Sequence, residues 1–407
     1  MAVRGDTGIY AYRTVSIIWF IGVAYVLLAE ITEYFELGRV PVVFDYWALS
    51  GPLLALVLFG RNRKLVLAAV WAALIAGVTG ALWDPRYLVF AMPIATGVVG
   101  FSTLFAMLVV GPERRRSWFL IMIGSLILIG QQIAGAFQQL TTVTEETFDN
   151  RAYLVDLSFG FNALALASRL NEMPMADALK AAYFEVIGLG YMALMLITGW
   201  MVMLQLKRQS PRWLVGFAVF VLSGTAAGLL YHVFPAAGPA ATYGSLLGLP
   251  DPRGITPAVN YVNSDHVRNC MPSIHFAWAL LVLINARGLP RVFQVSALLY
   301  VGLTFVATLV MGEHYLVDLV VAVPFAIGMQ GLACALVYKQ KPGASFCVGT
   351  LLTAFWFYAL VEQVDWFLAI PGFTVGAACL TLLFSAIAFW IDERSAAKRL
   401  ESSPQAP

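Results

Sequence analysis

The sequence predicts an all-α protein, a polytopic transmembrane helical bundle of about 12 spans, and three observations carry that expectation. Of the 407 residues, 60% are hydrophobic and only 12% are charged, about half the charged share of an ordinary soluble domain. Apolar runs long enough to cross a hydrocarbon core roughly 30 Å thick recur along nearly the whole chain. The basic residues between those runs gather on one side when the runs are taken as membrane crossings.

The runs lie near 15–31, 45–60, 65–83, 88–111, 118–140, 183–205, 213–233, 273–287, 294–312, 314–338, 345–368 and 372–391. The first follows Arg4 and Arg13 with no convincing small-residue cleavage site after it, so it reads as a retained helix. With the N-terminus inside, the inner set is Arg4, Arg13, Arg61, Arg63, Lys64, Arg114, Arg115, Arg116, Lys207, Arg208, Arg212, Arg287, Arg291, Lys339, Lys341, Arg394, Lys398 and Arg399. These are 18 of the 25 basic residues. Dropping or adding one span scrambles that partition, so a multi-pass cell-membrane protein with both termini cytoplasmic is expected.

Five regions follow. Residues 1–140 form an N-terminal five-helix membrane unit, 141–182 a non-cytoplasmic loop with surface helices, 183–340 a membrane core, 341–391 two C-terminal membrane helices and 392–407 a cytoplasmic tail. The loop is polar around Thr144, Glu145, Glu146, Asp149 and Asn150, then amphipathic around Leu157, Phe161, Leu164, Leu170 and Met173, a pattern for helices lying on the membrane. A second outer loop, Pro235 to Pro272, is rich in Gly and Pro and too polar to cross. No internal repeat is present.

A net charge of +2 with dispersed basic residues excludes a nucleic-acid face. Cys334, Cys347 and Cys379 fall inside apolar runs and Cys270 stands alone in a loop, so there is no disulfide framework. Glu30, Glu33 and Glu36 read as solvated residues at an outer boundary. Gln131 and Gln132 read as interhelical hydrogen-bonding groups, and Glu362 and Asp365 fall on the outer side.

Histidine is scarce, and His232, His266, His275 and His314 all fall in or beside the same outer surface. In Gly312-Glu313-His314-Tyr315-Leu316-Val317-Asp318, the aspartate follows the histidine by one helical turn, which puts both on one face. A carboxylate there fixes the imidazole tautomer and leaves the other ring nitrogen for a substrate. An Asp about a turn inside a span is costly unless it is paired or lines a wet cavity. In Cys270-Met271-Pro272-Ser273-Ile274-His275, Pro272 and Ser273 suit a helix start, where a hydroxyl and free amides form an anion pocket. Arg268 and Arg253 read either as solvated charges or as phosphate ligands, and His232 and His266 stay open between interfacial and functional roles.

Pro272-Ser273-Ile274-His275 followed by Glu313-His314-Tyr315-Leu316-Val317-Asp318 resembles the second and third signatures of the type 2 phosphatidic acid phosphatase (PAP2) superfamily. The Pro-Ser-x-His and His-Tyr-x-x-Asp forms are most similar to its inositolphosphotransferase branch, which contains the inositol phosphorylceramide synthases. Phe234-Pro235-Ala236-Ala237-Gly238-Pro239 with Tyr243 also looks like that branch, and the resemblance covers roughly residues 150–340. It implies a PAP2-like helical catalytic core in which His314 is the nucleophile that forms a phosphohistidine, Asp318 orients it, His275 protonates the leaving oxygen and Ser273 holds a phosphate oxygen. It implies a lipid phosphate or phospholipid substrate among membrane lipids, an alcohol or lipid acceptor, and no metal and no cofactor. Two elements of the superfamily are missing: the Lys followed at a distance by Arg-Pro, and the Ser-Arg pair upstream of the nucleophile, where Ala307 and Thr308 stand. The usual Gly of the second signature is Ile274, and Arg268 and Arg253 are the proposed substitute phosphate ligands.

The expected function is therefore a lipid phosphotransferase or phosphatase acting on the non-cytoplasmic face, with transfer to an alcohol favoured over hydrolysis. The competitors are a hydrolysis-only lipid phosphate phosphatase, a proton-coupled transporter using intramembrane Asp and His, and a zinc enzyme ligated by His275, His314 and Asp318.

Overall fold

The computed structural model describes residues 50–83, 88–110, 114, 116–125, 145–160, 162–172, 183, 186–188, 193–210, 212–243, 255–262 and 267–402. The expected span at 15–31 lies outside them, as do Glu30, Glu33, Glu36, Gln131, Gln132, Arg253 and His266. In chain order the elements are α1 (Gly51–Phe59), α2 (Arg63–Trp83), α3 (Leu88–Val110), β1 (Glu146–Thr147), α4 (Asp149–Leu157), α5 (Ala163–Glu172) and α6 (Leu194–Lys207). There follow α7 (Arg212–Val233), α8 (Pro239–Tyr243), β2 (Asn260–Tyr261), α9 (Ile274–Asn285) and α10 (Arg291–Val310). The last are α11 (Leu316–Val337), α12 (Ala344–Glu362), α13 (Val364–Ala369) and α14 (Phe373–Ser402).

The chain is mostly helical, and among the described residues five helices are long and apolar enough to cross a membrane: α7, α10, α11, α12 and the Phe373–Ser395 part of α14. The expected count of twelve is not supported. The runs at 45–60 and 273–287 become helices of 9 and 12 residues, too short at about 1.5 Å per residue for a 30 Å core. Their apolar character has another cause: α9 is buried on most of its surface by protein, from Ile274 through Val282 to Asn285.

Two compact units are present, Met1–Ala136 with Met192–Trp213, and Phe137–Tyr191 with Leu214–Pro407. In the first, α1 packs against α2, α3 and α6 around Leu53, Leu56, Leu104 and Leu120. In the second, α11 is the central shaft and packs on α4, α9, α12 and α14.

Small residues set a close approach between α11 and α12. A Cβ on Gly331 would meet the Phe346 amide at 2.6 Å, and one on Gly349 would meet the backbone of Pro324 and Gly328. Only glycine lets the two backbones meet this way. On the other flank, the buried amides of Asn285 and Gln330 pair reciprocally at 2.8 and 3.3 Å. At the far end, Asp392 of α14 accepts the N–H groups of Ala344 and Ser345, both at 2.9 Å, and so caps α12 from outside it.

The stretch read from sequence as surface helices supplies α4. Its buried positions are Asp149, Ala152, Tyr153, Val155 and Asp156, and it packs against α8, α11 and α13. A two-residue antiparallel ladder, Glu146 opposite Tyr261 and Thr147 opposite Asn260, ties its entrance to the loop that leads into α9.

Candidate active site

Ser273 is the N-cap of α9, with extended backbone and its Oγ accepting the Phe276 N–H at 3.4 Å. Its own N–H donates to the Asp318 carbonyl at 3.4 Å, which fastens the start of α9 to the start of α11. His275 is the second residue of α9. His314 does not begin a helix as the sequence suggests. It lies in the turn before α11, and Tyr315, extended at φ −82° and ψ 159°, is the N-cap. The two imidazoles still converge, with ring centroids 6.5 Å apart and planes inclined by 58°.

The tautomer of His314 follows from its neighbour. Nδ1 lies 2.9 Å from the Cys270 carbonyl oxygen, which can only accept, so Nδ1 carries the proton and Nε2 of the neutral ring keeps its lone pair. Asp318 stands further off, with Oδ2 3.5 Å from Nδ1. That oxygen is engaged more closely elsewhere: it accepts the Tyr315 N–H at 2.8 Å and faces Cys270 Sγ at 2.7 Å. The ring is thus oriented chiefly by a backbone carbonyl, with the carboxylate placed behind it. Both side chains are buried.

Two further carboxylates hold this arrangement, and the sequence reading did not single out either as a site residue. Asp149 accepts the N–H groups of Ala237 at 3.0 Å and Gly238 at 2.9 Å, and the Tyr315 hydroxyl at 2.9 Å. Asp156 accepts the N–H groups of Leu316 at 2.6 Å and Val317 at 2.8 Å, two of the four orphan donors at the start of α11. Burial raises the Asp149 carboxyl above the ordinary range, against the pull of its hydrogen bonds. It raises Asp156 well above that range, with the amides of Leu316 and Val317 opposing and the charge of Asp318 adding. One signal in the sequence pointed this way: positions 149, 152, 153 and 156 share a helical face, so the carboxylates go where Ala152 and Tyr153 go.

The segment from Phe234 to Pro239, flagged as a motif, is the hub between these pieces. Phe148 N–H donates to Pro235 O at 2.8 Å, Cys270 N–H to Ala236 O at 3.1 Å and Ala240 N–H to Gly312 O at 2.9 Å. Gly238 has φ +92°, and a Cβ there would meet the Glu313 carbonyl oxygen at 2.5 Å. Glycine is required on both counts.

Of the remaining expected residues, Arg268 is fully buried and its Nη2 donates to the Val262 carbonyl at 2.6 Å; burial lowers its pKa, and Asp149 and Glu145 oppose that. Ser273 and His314 are buried, Ile274 is buried beside a half-buried His275, and His232, Glu362 and Asp365 are exposed.

Among the described residues, the donor set that lies close enough to surround a cation is Cys270, His314 and Asp318, all within 4.8 Å of one another; it does not include His275, as the zinc alternative required. As arranged, these atoms face each other as donor and acceptor. Nδ1 gives its proton to a carbonyl, and burial pushes the Cys270 thiol well up, toward the protonated form, with Asp318 and Asp149 adding to the shift. A ligand set needs the opposite, a thiolate and a free imidazole lone pair.

No curated protein and no solved structure gives a significant match to the chain. A family model described as the PAP2 superfamily does match, over residues 152–332, a stretch that begins within α4, ends within α11 and contains Asp156, Arg268, Ser273, His275, His314 and Asp318.

Proposed function

We propose that this protein is a membrane enzyme that moves the phosphoryl or phosphodiester group of a lipid through a phosphohistidine on His314. The observation that carries the reading is the convergence of His314 and His275 from two different helix starts, with Nε2 of His314 left as the nucleophilic nitrogen. In the first step Nε2 attacks phosphorus, the P–N bond forms and the P–O bond to the leaving group breaks. Burial and then the neighbouring His314 hold the His275 pKa down to about 3, and the negative charge of bound phosphate favours the protonated ring that gives its proton to the departing oxygen. In the second step an acceptor hydroxyl attacks phosphorus, its proton passes to His275, and the P–N bond breaks. Asp318 faces the Nδ1–H edge of the ring and stabilises the positive charge that phosphorylation creates there. Ser273, whose Oγ already accepts from Phe276, has its hydroxyl proton left to donate to a phosphate oxygen. Arg268 and Arg253 are the proposed charge partners of that phosphate.

Within this reading the enzyme belongs to the inositolphosphotransferase-like branch and prefers an alcohol acceptor to water. Two features support that preference: the His-Tyr-x-x-Asp form at His314, and the apolar Ile274 buried beside the acid, which keeps water from the proton donor. The catalytic core occupies residues 183–340 and works on the non-cytoplasmic face, with both termini cytoplasmic. Labelled phospholipid given to the purified protein, with and without inositol, glycerol or a second lipid alcohol, tests the proposal. Formation of exchanged lipid is expected. Release of free phosphate or head group at one rate whatever the acceptor makes the protein a hydrolase, and no turnover of any lipid phosphate ends the reading.

A further inference from the structure

Cys270 touches the support of the nucleophile at several points. Its carbonyl accepts His314 Nδ1–H at 2.9 Å, its N–H donates to Ala236 O at 3.1 Å, and its Sγ lies 2.7 Å from Asp318 Oδ2 and 3.5 Å from His314 Nδ1. The residue is fully buried, and a buried thiol among carboxylates stays protonated, so sulfur has one hydrogen to give. Two acceptors are within reach, the Asp318 carboxylate at 2.7 Å and the Glu313 carbonyl at 3.2 Å. The nearer and charged one makes the stronger bond.

We propose that Cys270 is a positioning residue of the site, a thiol donor that fixes the Asp318 carboxylate against the imidazole of His314. The inference rests on the phosphohistidine reading. Asp318 Oδ1 has no hydrogen-bond partner among the described residues, so the group is held through Oδ2, by the Tyr315 N–H and the thiol at 2.8 and 2.7 Å, with His314 Nδ1 more distant at 3.5 Å. Without the thiol, the Tyr315 amide is the one close donor left, and the longer contact to His314 Nδ1 is the very one whose alignment is at stake. Asp318 matters most when the ring is phosphorylated and positive, a state reached after substrate has bound. Losing its alignment therefore slows the chemical step and leaves ground-state binding nearly alone. The carbonyl of Cys270 belongs to the backbone and survives substitution, so a side-chain change isolates the effect on Asp318.

The test is steady-state kinetics of the full-length protein in lipid nanodiscs with short-chain phosphatidic acid, comparing wild type, Cys270→Ala and Cys270→Ser, with thermal melts of each. Cys270→Ala is expected to lower kcat between tenfold and a hundredfold with KM within twofold of wild type. Cys270→Ser, which restores a donor of similar reach, is expected to recover most of that loss. Wild-type kcat in Cys270→Ala overturns the proposal, and so does an equal loss in both variants accompanied by an equal fall in melting temperature, since that pattern is packing alone. Wild type inactive toward every lipid phosphate removes the phosphohistidine reading, and the role of Cys270 with it; the wild-type control separates that failure from the others.

Discussion

The Tyr315 hydroxyl donates to Asp149 across 2.9 Å, joining two residues 166 positions apart in the chain. The same carboxylate receives the amides of Ala237 and Gly238, so one buried acid fixes both the residue after His314 and the loop beneath it. With Asp156 two turns further along α4 holding the first amides of α11, a short helix outside the recognisable motifs sets where the motif histidine stands.

Asp156→Ala leaves the N–H groups of Leu316 and Val317 without an acceptor. An unmet buried donor costs about 1–3 kcal/mol, so the variant is expected to melt several degrees below wild type and to turn over lipid phosphate more slowly. Thermal unfolding in a fixed detergent, paired with kcat, checks this; an unchanged melt removes the capping role.

The pH dependence of that cap has a definite sign. Burial raises the Asp156 carboxyl well above its usual value, so the folded state holds its proton more tightly than the unfolded one, where the pKa is about 3.9. Its contribution to stability is then full below about pH 4 and is lost as pH rises through the folded value. The melting temperature of wild type minus that of Asp156→Asn should accordingly be largest at low pH and shrink as pH rises through the folded value. Melts across a pH series read this directly, and a difference that grows with pH contradicts it.

Gly238→Ala places a methyl group against the Glu313 carbonyl and forces a side chain into the left-handed region. Because Glu313 precedes His314, activity is expected to fall at least tenfold, along with a stability loss of about 1–3 kcal/mol from the strained backbone. Gly160→Ala, also at positive φ but with open space around it, is the control and should keep its activity.

His314→Ala and His275→Ala are each expected to lower kcat by three or more orders of magnitude while the protein still inserts and melts normally. Rapid quenching of wild type with labelled substrate should trap an acid-labile phosphoprotein, absent in His314→Ala. A labelled intermediate that persists in that variant moves the nucleophile elsewhere.

The side of the membrane is tested by cysteines introduced into a background lacking the exposed Cys347 and Cys379, with that background as the labelling control. A Glu146→Cys variant should react with an impermeant maleimide added outside intact cells, and Arg208→Cys only after permeabilisation. Reversal would place the site on the cytoplasmic face.

The residues of the site that were legible from sequence are those whose relations are local. Ser273 caps α9 three residues from the amide it accepts, and His314 and Asp318 are four apart, so a motif can display them. Asp149, Asp156 and Cys270 act across 44 to 166 positions, and such pairings are made only by folding. Periodicity could show that 149 and 156 share a face with Ala152 and Tyr153, but not what that face would meet. Twelve spans are not supported among the described residues, and one of the expected runs shows a related reason. An apolar run reports exclusion from water, and α9 is excluded by neighbouring helices rather than by crossing lipid.

The glycine seam between α11 and α12 gives the site a mechanical character. Where Gly328, Gly331 and Gly349 bring backbone onto backbone, the contact has little side chain to change rotamer, so sliding or tilting by repacking is hindered there. Asp392 clamps the opposite end of α12 to α14. Any displacement of the residue at the head of α11 has to move both rods together, and His314 is mounted like a tool on a stiff post. On the proposed reading, whatever yields to admit a bulky lipid is to be sought among the parts that hold no such seam.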